Sequence, residues 1–216
     1  MLYLLDENII AFPDPRTANP DGLLAIGGAL TPEWLLLAYS HGIFPYYPYK
    51  KSKDIHWYCP QDRFVIFPTE IHVSHSMRSL INKNIFRVTC NQAFDEVIEH
   101  CSTVEDRDQE RYAWLGGPMI EAYKKLHQLK HAMSIEVWSN EQLVGGLYGV
   151  VIGKNFFGES MFSLVPNASK MALIALSHIV GEAGGIIDCQ FETPHLLSMG
   201  GRHITYDEYM DILGLS

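Results

Sequence analysis

The segment IIDCQF, residues 186–191, sets a carboxylate and a primary amide two positions apart in an otherwise apolar run. In an extended strand alternate side chains share a face, so Asp188 and Gln190 are expected on one side. Cys189 is expected on the other, with Ile187 and Phe191. An acid and an amide on an apolar strand need partners or a solvent-lined cleft. They either work in such a cleft or form a buried Asp–Gln hydrogen bond that only closes a nearby helix end. FFGESMF, residues 156–162, poses the same question. Strict alternation groups Phe157, Glu159 and Met161, and sets Phe156, Gly158, Ser160 and Phe162 opposite. Glu159 then is hydrogen-bonded, binds a cation or an amine, or reaches solvent at a strand edge. Gly158 lets a ligand or a neighbouring strand approach the backbone.

Other groups surround these two. LVGGLYG carries adjacent glycines that weaken a strand unless something packs on the bare backbone, either a substrate or the following helix. Trp114, Tyr123, Tyr39 and the FPYY run offer faces for a nucleobase, or pack in the core. Lys50, Lys51 and Lys53 fall in one loop, and Arg78, Lys83 and Arg87 in the unit after it. They are candidate phosphate contacts, with ordinary solvated surface as the alternative. A thiol nucleophile built from Cys189 and His195 is disfavoured, because Cys189 should face away from Asp188 and no helix start follows it to lower its pKa.

The whole chain sets limits on the chemistry. Its 216 residues carry 16 basic and 25 acidic side chains, a net charge of −9, which argues against a general nucleic-acid coat protein and requires any nucleic-acid ligand to be held locally. With 47% hydrophobic and 12% aromatic residues the chain can bury a sizeable core. No apolar run reaches the roughly 18 residues of a membrane span, and MLYLLDENIIAFPDP lacks a basic leader, so a cytoplasmic protein is expected. The four cysteines form no CxxC pair and are expected as free thiols. Ten histidines without HExxH or HxH spacing give no expectation of metal.

The elements that must position these groups are readable in outline. The first 60 or so residues are rich in Pro, Gly and aromatics, with one helix capped by Thr31, opened by Pro32 and ended by Gly42. Strand FVIFP, a helix capped by Ser74, strand IFRVTC, a helix over NQAFDEVIEHC and a helix after Pro118 follow. Strands AMSIEVW, QLVGGLYGVVI and FFGESMF come next, with the hairpin links SNE and GKN. A long helix from ASKMAL to Gly184–Gly185, strand IIDCQF and helices through HLLSMG and YDEYMDIL complete the order. This predicts an α+β fold: a small N-terminal domain over residues 1–63, then a mixed-sheet domain over 64–216 in an acetyltransferase-like (GNAT) order.

Together the strings NPDGLLAIGGAL, AYSHGIFP, AYKKLH, HAMSIEVW, LVGGLYGV, GESMFS, NASKMAL, IIDCQ and HLLSMG resemble the leucyl/phenylalanyl-tRNA–protein transferase family, in family order from about residue 19 to 200. The resemblance implies a GNAT-like enzyme, without metal, coenzyme A or other cofactor. It would transfer Leu or Phe, less readily Met, from aminoacyl-tRNA to the N-terminal amine of proteins beginning with Lys or Arg, marking them for degradation. By position, Asp188 and Gln190 correspond to the catalytic pair, and Glu159 to the residue that holds the donor's α-amino group. Phe156 and Leu147, with Met161, would line the donor side-chain pocket. Tyr39, Trp114 and Tyr123, with Tyr46, would surround the terminal adenosine. A monomer is expected. Tyr46 stands where the family's FPW has Trp, WWSP is replaced by WYCP with Cys59 at the serine position, and the chain ends soon after YMDILGLS.

The reaction would be aminolysis of an ester, which needs a neutral amine, correct placement and oxyanion stabilisation. An amide does not titrate near neutrality, so Gln190 is expected to orient the amine and relay its proton, with Asp188 fixing the amide. On this expectation Cys189→Ala is nearly harmless. Three other classes are weighed. A coenzyme A-dependent N-acetyltransferase should show a Gly/Arg-rich pyrophosphate loop where SLVPNASK stands. An aminoacyl-tRNA-dependent enzyme acting on peptidoglycan precursors should be longer, and a non-catalytic tRNA-binding module would not need Asp188 and Gln190.

Overall fold

Two sheets organise the chain. The structure, a computed structural model, describes residues 2–48, 54–105 and 115–214, so Lys50, Lys51, Lys53 and Trp114 lie outside the described residues. Strands β1 (Tyr3–Leu5) and β2 (Leu23–Gly27), helix α1 (Pro32–Ser40) and strands β3 (Phe44–Tyr46) and β4 (His56–Tyr58) form the first unit, a four-stranded sheet in the order β1-β2-β4-β3. The Thr31 side chain caps α1 by accepting from the Trp34 N–H, and Gly42 follows its end at φ 72°. A side chain at Gly42 would meet the ring of Tyr209, which ties this helix end to the C-terminal part of the chain.

Strand β5 (Asp62–Ile66) begins the second unit. Helix α2 (His75–Asn82), strand β6 (Arg87–Cys90), helices α3 (Phe94–Glu105) and α4 (Gly117–Gln128), and strands β7 (Ala132–Ser139), β8 (Gln142–Ile152) and β9 (Asn155–Ser163) follow. Helix α5 (Ala168–Glu182), strand β10 (Ile187–Gln190), helix α6 (Pro194–Ser198), strand β11 (Arg202–Thr205) and helix α7 (Tyr206–Leu213) complete it. The seven strands are ordered β11-β5-β10-β9-β8-β7-β6. All pairs are antiparallel except β9 with β10, which run parallel. The mixed α+β architecture is therefore as expected. Asn140 and Glu141 both take positive φ, 48° and 65°, as a tight two-residue hairpin requires. Strands β1 to β4 and β11 are of three to five residues and were not anticipated.

One apolar cluster lies under α1, α3, α4 and α7 and joins the small sheet to the large one. Trp34, Tyr39, Trp57, Tyr148, Phe157 and Tyr209 are fully buried in it. The other lies under α5, with Phe64, Leu147, Phe156, Leu173 and Ile187. No helix among the described residues is long and apolar enough to cross a membrane.

Strict alternation fails at both segments first singled out. In β9, Tyr148 stands opposite Ser160 and the next residue, Gly149, opposite Gly158, so Glu159 is an extra residue. The bulge reverses the pleat: Phe157 and Phe162 join one cluster, Phe156 and Met161 the other. In β10, Asp188 pairs with Val65 and Gln190 with the adjacent Phe64, leaving Cys189 as the extra residue. Gln190 sits at φ 62°, a left-handed conformation that costs a residue with a Cβ roughly 1–2 kcal/mol.

The glycines of β8 make room for the protein itself. A Cβ at Gly145 would strike Ala168 at the start of α5, and one at Gly146 the Ile135 carbonyl oxygen. At Gly149 it would overlap the Phe157 carbonyl oxygen and press on the Phe156 ring. Gly149→Ala is expected to cost about 1–3 kcal/mol, read as a lower urea midpoint at unchanged slope. An unaltered midpoint would mean that β8 and β9 can separate freely here.

Candidate active site

Pairing between β9 and β10 is confined to Ile187 with Phe156 and Asp188 with Phe157. Beyond that, each strand bulges, and a cavity of about 650 Å³ opens beside them. Glu159 and Gln190 are among its polar lining residues. Its apolar walls include Leu147, Phe156, Met161, Leu173, Leu176 and Ile187, from β8, β9, α5 and β10, and Phe44, Tyr46 and Phe191 also reach it. Leu147, Phe156 and Met161, expected in the donor side-chain pocket, and Tyr46, expected near the adenosine, thus line one cavity with Glu159.

Glu159 is a hub of hydrogen bonds. The Tyr39 hydroxyl donates to Oε1 at 2.6 Å, the Tyr123 hydroxyl to Oε2 at 2.5 Å, and Gln190 Nε2 to Oε1 at 3.0 Å. The two phenols also touch each other at 2.7 Å. Burial pushes the Glu159 carboxyl up to about 7, against the three hydrogen bonds, which favour its charged form. Burial, then the Glu159 charge, raises both phenols well above the usual tyrosine value, so they remain O–H donors. Tyr39 and Tyr123 are fully buried and do not line the cavity. Their rings are core, and their hydroxyls serve Glu159. Tyr123→Phe removes one donor to the carboxylate and should move the acid limb of the pH–rate profile upward. An unmoved limb would show that the limb is not set by Glu159.

Asp188 is placed differently from the sequence expectation. It is fully buried and contributes nothing to the cavity wall. Arg63 grips it through Nε to Oδ1 at 2.8 Å and Nη2 to Oδ2 at 2.6 Å, and the Tyr209 hydroxyl donates to Oδ2 at 2.8 Å. Its one bond to Gln190 is from the backbone N–H to Oδ1 at 2.9 Å. The amide side chain is fixed by Glu159, where Asp188 had been expected to fix it. The extra residue in β10 is the cause, since it turns Gln190 to the cavity side together with Ile187 and Cys189. Cys189 consequently lines the cavity, against the expectation that it points into the core. Burial raises its thiol above the usual range, which leaves it unsuited to act as a nucleophile.

Arg63 and Tyr209 were missed, since nothing in DRFVIFP or YDEYMDIL marks a partner far along the chain. A fully buried arginine is visible only once β5 and β10 are paired. His195 was weighed only as a partner for a Cys189 nucleophile. It lines the cavity near the start of α6, its Nε2 has no hydrogen-bond partner among the described residues, and burial holds its pKa below the usual histidine value. Arg78, Lys83 and Arg87 are exposed and away from the cavity, and the Arg87 guanidinium lies 5.0 Å from the Trp138 ring centroid. Arg87 belongs to the edge strand β6, three strands from β9. None of the four cysteines is in a disulfide, and Cys59 and Cys101 are buried while Cys90 is exposed. No group of three or more His, Cys, Asp or Glu side chains among the described residues could hold a metal ion.

Residues 65–214 match a family model described as "Leucyl/phenylalanyl-tRNA protein transferase", and residues 28–61 match the model of that family's N-terminal domain. A leucyl/phenylalanyl-tRNA–protein transferase of Flavobacterium psychrophilum is 48% identical over 214 residues, covering 99% of each chain. One from Shigella dysenteriae is 44% identical over 215 residues, covering 98% of this chain and 89% of its own. Among solved structures, an aminoglycoside acetyltransferase from an uncultured soil metagenomic sample superposes with a TM-score of 0.40 at 14% identity, over 53% of this chain and 84% of that one.

Proposed function

The chain belongs to the leucyl/phenylalanyl-tRNA–protein transferase family and is an aminoacyltransferase that moves an amino acid from tRNA to protein, and we propose that Glu159, Gln190 and the cavity beside them are where it does so. The donors in this reading are Leu and Phe, and less readily Met. The acceptors are cytoplasmic proteins with N-terminal Lys or Arg, which the added residue marks for degradation, and the enzyme acts as a monomer.

The observation that carries this reading is the hydrogen-bonded pair of Glu159 and Gln190 in the wall of a largely apolar cavity. A γ-branched or aromatic side chain fits beside Leu147, Phe156 and Met161, and Glu159 is placed to take the donor's α-ammonium group as an ionised acceptor. The same carboxylate dictates the amide's orientation. It accepts only, so Gln190 must turn its NH2 toward it, leaving the carbonyl oxygen for an N–H of the incoming amine.

The acceptor's nitrogen attacks the ester carbonyl carbon, and the bond from that carbon to the ribose oxygen of the tRNA 3′ end breaks. The proton lost by the amine passes to the departing ribose oxygen. Gln190 contributes placement, worth more here than any proton affinity an amide has. Arg78, Lys83 and Arg87 remain the proposed contacts to the tRNA backbone, distant from the reacting atoms, where a cation attracts phosphate without reading sequence.

The test is direct. The protein is incubated with radiolabelled Leu-tRNA or Phe-tRNA and a peptide beginning with Arg, without acetyl-CoA, ATP or metal. Label should move to the peptide, and Gln190→Ala should slow it strongly. No transfer, or equal transfer to a peptide beginning with Asp, would overturn the reading.

A further inference from the structure

Gln190 holds a backbone conformation that its residue type disfavours, and the side chain that meets its N–H is that of Asp188. Asp188 is in turn held on both oxygens. Arg63 binds side-on through Nε and Nη2, and Tyr209 closes the second oxygen. The guanidinium is stacked between two rings, 4.9 Å from the centroid of Phe44 in β3 and 4.9 Å from that of Tyr209 in α7. Its Nη1 has no hydrogen-bond partner among the described residues, so the group is aimed by Asp188 and the two rings. Phe44 and Phe191 meet edge to face at 5.5 Å, and both line the cavity. Three separate parts of the chain therefore converge on one carboxylate whose other contact is the backbone of Gln190.

We propose that Arg63 and Tyr209 are positioning residues for aminoacyl transfer, which act through Asp188 to hold Gln190 in its left-handed conformation and so aim its amide at Glu159 and the incoming amine. The inference rests on the reading of Gln190 given above. It makes the small sheet and the C-terminal helix partners in the rate of transfer. A bidentate guanidinium fixes the plane of a carboxylate, which a lysine cannot do. Fixing that plane fixes where Oδ1 can receive the Gln190 N–H. Without the grip, Gln190 can relax to an ordinary extended backbone, and its amide swings away from Glu159.

Arg63→Met leaves a buried carboxylate unpaired and risks the fold, so the decisive variant is Tyr209→Phe, which deletes one hydroxyl and keeps the ring over Arg63. In the full chain its kcat for transfer from Leu-tRNA should fall about 10- to 100-fold, as a small misplacement of a reacting group would cause, while KM stays within about twofold and the melting temperature falls by roughly 3–10 °C, with the protein still folded at the assay temperature. Arg63→Lys, which keeps the charge and loses the two-point grip, should show the same split. In a Gln190→Ala background, the Tyr209 change should cost little further rate, because its effect passes through a side chain already gone. An unchanged kcat in Tyr209→Phe, a loss wholly in KM, or full additivity with Gln190→Ala would overturn the proposal. Full activity of Gln190→Ala alone would instead overturn the reading of the site.

Discussion

Glu159→Gln is expected to make the protein more stable and a much poorer enzyme, with the two effects separated by pH. The folded-state pKa of Glu159, about 7, lies above its ordinary value of 4.5, so the folded protein holds a proton that the unfolded chain has lost across that interval. Stability from this group is present in full below about 4.5 and is lost as pH rises through about 7, a penalty on the order of 3–4 kcal/mol once the carboxylate is ionised. Glutamine carries no such penalty. The variant should therefore melt higher than the parent at pH 8 and close to it at pH 5. Transfer moves the opposite way: an amide keeps an acceptor for the donor's ammonium group but loses the charge. Hydrogen bonds to charged groups contribute about 1.5–3 kcal/mol, so kcat/KM for Leu-tRNA should fall roughly 10- to 100-fold. The limb of the parent's profile that rises through pH 7 should vanish. A variant that kept the parent's rate, or that melted lower at pH 8, would remove Glu159 from the role given to it.

Arg63→Met should cost about 3–5 kcal/mol, among the largest single-residue effects in the chain, because it strands Asp188 as an uncompensated buried charge. Burial by itself would pull the arginine toward neutrality, but the Asp188 carboxylate outweighs it and the pKa lies above the ordinary value, so the pair is ionic. Removing both charges together is another matter. Arg63→Met combined with Asp188→Asn leaves two neutral groups of similar size, and the asparagine side chain still offers an oxygen to the Gln190 N–H. The double variant should recover most of the lost stability and transfer more rapidly than Arg63→Met alone. Urea denaturation of the four proteins in the cycle measures the coupling, and independent costs that simply add would show that the two side chains do not act as a pair.

Much of the scaffold could be read from the chain because local signals and the fold agree. Thr31 before Pro32, Ser74 before a periodic run, and Asn140–Glu141 between two apolar strands each carry their own cap or turn chemistry. The short strands were illegible for the opposite reason. Three residues such as Phe44–Tyr46 or His56–Tyr58 have no period, and only pairing partners make them strands. In the cavity, Glu159, Gln190, Leu147, Phe156, Met161 and Tyr46 could be named in advance because they matched a family pattern. The local geometry and the buried partners of Asp188 could not. A bulge has no mark in GESMF or DCQ, and a period of two groups Gln190 with Asp188, where the structure sets it with Ile187 and Cys189 on the cavity. Arg63 and Tyr209 lie 125 and 21 residues from Asp188, and neither separation predicts a contact.

The doubled offsets at Glu159 and Cys189 mean that this part of the protein counts residues as well as choosing them. Deleting Ser160 would restore a straight run in β9 and send every side chain after it to the reverse side of the sheet, with Met161 turned toward the cluster that now holds Phe162 and Phe162 toward the one that now holds Met161. A substitution along these two segments changes one side chain and leaves the facing of the rest in place, whereas a change of a single residue in length moves all that follow it.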